Sequence, residues 1–139
     1  MAATLKLQIV TPDAIVYDQD VLMVTMPCVT GQIGVYPLHV PLITQIVPGE
    51  IIVQHKDGHE ESLAVGEGLV DVEPDSVSIV TDMAIPADKI DEAKVEEARR
   101  RAAARLEDKL SDEEVASVNA SLARSLAQLN VKRRRHGRM

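Results

Sequence analysis

The residues of this 139-residue chain with the most chemical potential fall into four groups. His55-Lys56-Asp57-Gly58-His59 sets two imidazoles around a carboxylate, which is raw material for a metal pair. Asp57-Gly58 is also the strongest two-residue hairpin signal in the chain, and a turn there leaves the imidazoles flanking it at non-paired positions. Zinc takes three or four ligands, and no third ligand cluster stands out, so the expectation is a solvated hairpin end and no metal site. Gly66-Glu67-Gly68 opens like a dinucleotide fingerprint, but it runs into Leu69-Val70-Asp71-Val72, a strand where the fingerprint demands a helix. It reads as a bulge or turn. Cys28 follows Pro27 with no neighbouring His or basic residue to draw off its proton, so it reads as a small buried residue rather than a nucleophile. Carboxylates abound without one pair being singled out, and no G-x-S-x-G motif occurs, so no catalytic residue is assigned.

The fourth group is basic. Arg99, Arg100, Arg101 and Arg105 crowd one stretch, Arg124 follows, and Lys132-Arg133-Arg134-Arg135-His136 lies near the end. Two readings stay open: a solvated helix surface partly paired with Glu96, Glu97, Glu107 and Asp108, or a surface drawn to an acidic partner or to phosphates. The charge is divided along the chain. Residues 1–88 hold 2 Lys/Arg against 13 Asp/Glu, a net −11, and residues 89–139 hold 13 against 9, a net +4. An acidic first half repels nucleic acid, and two tyrosines with no Trp or Phe are too few for base-stacking platforms. One cysteine cannot make an intrachain disulfide, which fits a reducing compartment. Apolar runs fall well short of the ~20 residues a membrane-spanning helix needs, and Met1 to Val10 does not read as a signal peptide. These features point to a cytosolic chain without direct membrane insertion.

The elements that must position these residues change character near residue 85. Leu5 to Ile9 alternates with period two, and Val21 to Met26, Leu42 to Val47, Ile51 to Gln54, Ser62 to Val65, Leu69 to Val72 and Val77 to Val80 are further short β-rich runs. Thr11-Pro12-Asp13, Pro48-Gly49, Asp57-Gly58 and Pro74-Asp75 punctuate them. Many short, evenly spaced strands predict a β-sandwich or flattened barrel over residues 1–85, with a small aliphatic core. Residues 86–139 predict an antiparallel two-helix hairpin with a basic tail. Asp88 stands as N-cap of a first helix reaching Lys109, with Val95, Ala98, Ala102, Leu106 and Leu110 on one face. Ser111-Asp112-Glu113-Glu114 has capping-box form and opens a second helix, whose stripe is Val115, Val118, Leu122, Leu126 and Leu129. Ala98 and Ala102 are expected to meet Ala116, Ala120, Ala123 and Ala127 along a seam of small residues that buries little area. The fold class is therefore α+β: two short, mostly antiparallel sheets, then a helical hairpin able to open.

Gly31-Gln32-Ile33-Gly34-Val35-Tyr36-Pro37-Leu38-His39-Val40-Pro41-Leu42 closely resembles the G-x-x-G-(I/V)-x-P-x-H-x-P-L segment of bacterial-type F-type ATP synthase epsilon subunits. Gly66 to Pro74, Val80 to Ala84 and Ile90-Asp91-Glu92-Ala93 resemble later segments of that family, in order along essentially the whole chain. The resemblance implies a non-catalytic rotor subunit without a cofactor, at the cytoplasmic face of the bacterial inner membrane. Its sandwich would pack on the gamma subunit and touch the polar loops of the c-ring. Its helices would lie folded on the sandwich or extend into the alpha/beta catalytic head and restrain ATP hydrolysis. By the same resemblance, His39 matches a c-ring-facing position, and Gln32 stands where the family has an acidic partner in that contact. Leu38 replaces a glycine common before this histidine. The nucleotide-binding pattern of some relatives keeps Ile90 and Asp91 here, with Lys94 and Val95 in place of Arg-Ala. Arg101 and Arg124 match two further arginines, and Gln128 replaces a third. Lys cannot form the planar bidentate fork of Arg on phosphate, so weak or absent ATP binding is expected. The alternative is a sensor whose folded hairpin reports ATP through Ile90, Asp91, Lys94, Arg101 and Arg124. The other basic residues, Arg99, Arg100, Arg105, Lys132, Arg133, Arg134 and Arg135, would belong to the inhibitory arm.

Overall fold

Short runs of alternating or wholly aliphatic residues broken by Pro and Gly give ten strands in the computed structural model, which describes residues 3–137 and side chains through Arg134. The strands are β1 (Leu5–Val10), β2 (Ile15–Val21), β3 (Met23–Cys28), β4 (Gly31–Val35), β5 (Leu42–Ile46), β6 (Gly49–Gln54), β7 (Glu60–Val65), β8 (Gly68–Glu73), β9 (Ser76–Thr81) and β10 (Ala84–Pro86). A single 3₁₀ turn, Ala87–Lys89, leads into α1 (Glu92–Arg105) and α2 (Asp112–Gly137). Hydrogen bonding runs in the order β10-β7-β6-β3-β5-β8-β9-β1-β2, with β4 on β3. All pairings are antiparallel except β1 with β9. One register pair, Cys28 with Ile46, joins the β3 side to the β5 side, so the two expected sheets are one path folded over a shared core. That core is aliphatic, with Leu5, Leu7, Ile9, Val24, Met26, Ile46, Ile51, Leu63 and Ile79 at 1% exposure or less.

Three strands exceed the sequence reading. In β2 only Tyr17 and Val21 are buried, because it is an edge strand with Asp18-Gln19-Asp20 turned outward. In β4 two glycines dilute the pattern and only Val35 is buried. β10 is three residues long and ends in Pro86, which an edge strand tolerates. Gly66 and Gly68 do mark a turn between strands, and their reason is close approach. A Cβ on Gly68 would lie 2.0 Å from the Val80 carbonyl oxygen, and one on Gly66 1.9 Å from Asp82 Oδ1.

The β6–β7 hairpin departs from the expected two-residue turn. Gly58 N–H donates to the His55 carbonyl at 3.0 Å, Gly58 has φ +93°, and His55 N–H donates to the His59 carbonyl at 3.0 Å. This is a three-residue loop, a turn followed by a left-handed glycine, which shifts the register by one residue. His55 and His59 therefore oppose each other instead of falling at non-paired positions.

Asp91, not Asp88, caps α1, accepting from Lys94 N–H at 3.2 Å. The 3₁₀ turn absorbs Asp88, and Ile90 is extended (φ −78°, ψ 122°), so α-geometry starts late. α1 has 14 residues and ends at Arg105, short of the expected Lys109, whereas α2 has 26. The Ser111 capping box forms as expected: Glu114 N–H donates to Ser111 Oγ at 3.2 Å and Ser111 N–H to Glu114 Oε1 at 3.3 Å. The first stripe is thinner than expected. α1 buries no residue, Ala98 and Leu106 are exposed, and Val95 and Ala102 are half-buried. On α2, Val118, Ala127, Leu129 and Val131 are buried, Ser125 is buried too, and Leu126 is exposed. Ala116 is exposed, and Ala120 and Ala123 are half-buried, so the small-residue seam is open along much of its length.

Candidate functional site

On the outer face of β5–β8–β9, exposed apolar side chains sit among the polar Gln45, Asp71 and Ser78. Leu69 pairs with Gln45 on one side and Val80 on the other, and Ile43 is two residues from Gln45, so Ile43, Leu69 and Val80 share this face. They are 73%, 59% and 60% exposed. Sequence reasoning missed this face, although Leu42-Ile43, Leu69-Val70 and Ile79-Val80 carry the signal: apolar pairs, not alternation. The β4–β5 connection continues the exposure with Tyr36, Leu38 and Val40. Leu38 is the one non-glycine residue with positive φ (+71°) among the described residues, and its N–H donates to the Pro74 carbonyl at 2.7 Å. The turn thus keeps the shape suited to glycine while showing a leucine to solvent. His39, half-buried, donates from Nδ1 to the Val40 carbonyl at 2.6 Å. Gln32 is exposed opposite Pro27 near the start of β4, whereas His39 lies beyond that strand's other end.

The helical arm docks through a second apolar cluster in which Val131 and Ile90 meet Ala64 and Ala87, flanked by Met83, Ile85 and Val95. Ile90 is therefore a packing residue, and the Asp91 carboxylate is engaged at the helix cap. Lys94 is exposed, and Arg101 pairs with Glu97 at 3.8 Å on its own helix. Arg124 reaches Asp82 at 3.4 Å and Ser121 Oγ at 3.2 Å. Arg99 and Arg100 share Glu96, whose carboxyl is held below the usual range chiefly by the hydrogen bond from Arg99. Arg105 meets Glu114 at 3.7 Å, and Arg133 joins Glu92 at 3.1 Å and Glu96 at 3.3 Å. Lys132 Nζ donates to the Ala87 carbonyl at 3.5 Å. Arg134 bonds Glu50 and, at 3.0 Å, Ser62 Oγ. The Arg135 side chain lies outside the described residues.

Cys28 is buried, and burial pushes its thiol pKa up, away from nucleophilic character. At the β6–β7 tip the expectation of no third ligand is corrected. Glu61 Oε1 lies 3.2 Å from His55 Nε2 and 3.5 Å from His59 Nε2. Tyr17 Oη is 3.1 Å from His55 Nε2, its phenol pKa pushed up by burial first and by Glu61 second.

Comparison with known proteins decides the family. Residues 4–87 match "ATP synthase, Delta/Epsilon chain, beta-sandwich domain", and residues 88–133 match "ATP synthase, Delta/Epsilon chain, long alpha-helix domain". The chain belongs to the bacterial-type F-type ATP synthase epsilon chain family. The ATP synthase epsilon chain of Laribacter hongkongensis is 36% identical over 128 residues, 91% of each chain. That of Bacillus licheniformis is 36% identical over 130 residues, 94% of this chain and 98% of the relative. The epsilon-family fold extends to distant solved structures. A chain of the Euglena gracilis mitochondrial ATP synthase superimposes with TM-score 0.77 at 22% identity, covering 92% of this chain and 80% of that one. A chain in the central stalk and c-ring structure of the Tetrahymena thermophila mitochondrial ATP synthase gives 0.62 at 11% identity, with coverage of 92% and 96%.

Proposed function

We propose that this chain is a central-stalk rotor subunit of an F-type ATP synthase. In this role it performs no catalysis; it couples c-ring rotation to ATP synthesis and restrains ATP hydrolysis through its helices. The observation that carries the reading is the group of exposed large apolar side chains, Ile43, Leu69 and Val80 on one sheet face and Tyr36, Leu38 and Val40 in the adjoining loop. A soluble chain keeps such a patch when something covers it. In this reading the gamma subunit covers the face, and the loop bearing His39, with Gln32, turns to the polar loops of the c-ring. No helix among the described residues is long and apolar enough to cross a membrane. In this reading the chain is attached through its partners, at the cytoplasmic face of the inner membrane.

The arm supplies the regulation. α1 has no buried residue of its own, so it gives up little surface when the hairpin opens. Straightened end to end, 14 and 26 helical residues reach about 60 Å at about 1.5 Å per residue, far enough to enter an alpha/beta head. Ion pairs within the arm and to the sandwich would be exchanged for pairs with acidic groups of the head, as a two-state element requires. The test is truncation after Asp88. The remaining sandwich should still join gamma, and the assembled complex should hydrolyse ATP faster. An unchanged hydrolysis rate in an intact complex removes the inhibitory role, and failure to join gamma removes the structural one.

A further inference from the structure

The tip of the β6–β7 hairpin brings together more ligating atoms than a solvated turn needs. The imidazoles of His55 and His59 stack with centroids 4.0 Å apart and planes within 7°. Both Nε2 atoms approach the same carboxylate oxygen of Glu61, and the three ligand atoms lie within 4.8 Å of one another. The register explains the convergence. His55 opposes His59 across the loop, and Glu61, two residues further along the strand, falls on the same face as His59. We propose that His55, His59 and Glu61 bind one divalent transition-metal ion of the zinc class, a site separate from the rotor contacts.

Four observations favour an ion over a purely structural cluster. First, tetrahedral zinc with bonds of about 2.0–2.1 Å sets its ligand atoms about 3.4 Å apart. The 3.2 Å separation of Glu61 Oε1 from His55 Nε2, the imidazole that stays in place, is close to that value. Second, Asp57 Oδ1 sits on His59 Nδ1 and also accepts the His59 backbone N–H at 3.0 Å. A carboxylate accepts, so Nδ1 carries a proton, and an arriving ion would displace any proton that Nε2 shares with Glu61. That is the carboxylate–histidine arrangement that orients metal ligands. Third, two imidazoles and one carboxylate suit zinc, copper or nickel, whereas magnesium and calcium prefer all-oxygen shells. Fourth, burial is graded for entry: the His55 side chain is 11% exposed, Glu61 39% and His59 52%.

One movement is required. Parallel rings send their lone pairs in parallel directions, so ligation swings His59 out of the stack while His55 stays beside the Tyr17 hydroxyl. His59 is the exposed member and follows Gly58 in the loop, so the swing disturbs no core. Three protein ligands leave a fourth position for water.

The experiment uses the full chain. Zn²⁺ is titrated by calorimetry, and Co²⁺ is followed by visible absorption and by the imidazole NMR signals. One ion per chain is expected, with paramagnetic shifts on His55 and His59 and none on His39 or His136. Glu61→Gln and His59→Asn should each weaken binding by at least about tenfold, and Asp57→Asn by about tenfold through lost orientation. All three side chains are exposed or half-buried, so the variants keep the fold. His39→Asn should bind as the unaltered chain does, and millimolar Mg²⁺ should not compete. Absence of saturable uptake overturns the proposal. So does affinity retained in Glu61→Gln and His59→Asn, or Co²⁺ shifts confined to His39 or His136. None of these outcomes bears on the rotor role, which rests on a different face.

Discussion

Replacing Val131 by alanine should loosen the arm without loosening the sandwich. Val131 is 1% exposed and lies in the cluster that fastens α2 to Ala64 of β7, to Ala87 of the 3₁₀ turn and to Ile90 just after it. Two methyl groups at about 0.8 kcal/mol each give about 1.6 kcal/mol, and a partly relaxed cavity raises the loss to about 2 kcal/mol. At 1.4 kcal/mol per factor of ten, the docking equilibrium shifts about thirtyfold toward release. Most helical stability in a protein comes from tertiary packing, so an undocked hairpin frays and release registers as amide exchange. Hydrogen exchange of the full chain should therefore speed up about thirtyfold over residues 120–134. Amides of β1, β8 and β9 should keep their rates, because their side chains belong to the separate sandwich core. Equal acceleration of β1, β9 and α2 would refute the reasoning by making arm and sandwich one cooperative unit. No acceleration in α2 would refute it differently, by assigning the fastening to Arg124–Asp82 and Arg134–Glu50.

Two further substitutions test the sandwich. Gly68→Ala would put a Cβ 2.0 Å from the Val80 carbonyl oxygen, a backbone atom that moves only if β8 and β9 part. A loss of about 3 kcal/mol or more in urea denaturation is expected. Leu38→Gly should do the opposite. The left-handed conformation strains a leucine by about 1–2 kcal/mol, against about 0.5–1 kcal/mol for the extra chain entropy of glycine. Leu38 is 80% exposed and so loses little packing. A slightly higher melting temperature is expected, and a lower one would show that the Leu38 side chain does pack.

How far the sequence was legible follows from which signals were local. Capping at Ser111, the β-to-α transition and the aliphatic core depend on short patterns, and they match the structure. The hairpin tip failed by one residue. Asp57-Gly58 marked a turn, but Gly58 sits in the left-handed position of a three-residue loop, and a one-residue slip moves every side chain to the other face. With that register corrected, His55, His59 and Glu61 fall together from the period-two rule alone. The α1 cap failed because a 3₁₀ turn and the extended Ile90 displaced the start of the helix by three residues, which no local propensity announces. The exposed face of Ile43, Leu69 and Val80 was invisible for another reason: consecutive apolar residues look like burial on both sides until the sheet order shows one side bare. Of the residues linked to nucleotide, the placement of Ile90 and Asp91 is explained by packing and capping.

The division of charge between the halves also takes on a narrower meaning. A sandwich at −11 and an arm at +4 suggest that the arm is held down by its cations. Five of the arm's basic side chains are turned instead to acids of the arm itself: Arg99 and Arg100 to Glu96, Arg101 to Glu97, Arg105 to Glu114, and Arg133 to Glu92 and Glu96. Among the described residues, the ion pairs from arm to sandwich are Arg124–Asp82 and Arg134–Glu50. Exposed pairs contribute about 0–1 kcal/mol each. The more buried one carries a penalty, because Arg134 Nε is buried without a partner, which offsets part of its gain. Burial of Val131, Ile90 and Ala64 therefore decides whether the arm is docked, and the charges decide its internal shape. Undocking and straightening are then separable steps. The first gives up an apolar contact that salt does not screen, whereas the second breaks the α1–α2 pairs of Arg105 and Arg133, which salt does screen. Under the proposed mechanism, an arm built this way would leave the sandwich as a folded hairpin and extend only where new partners replace Glu92, Glu96 and Glu114.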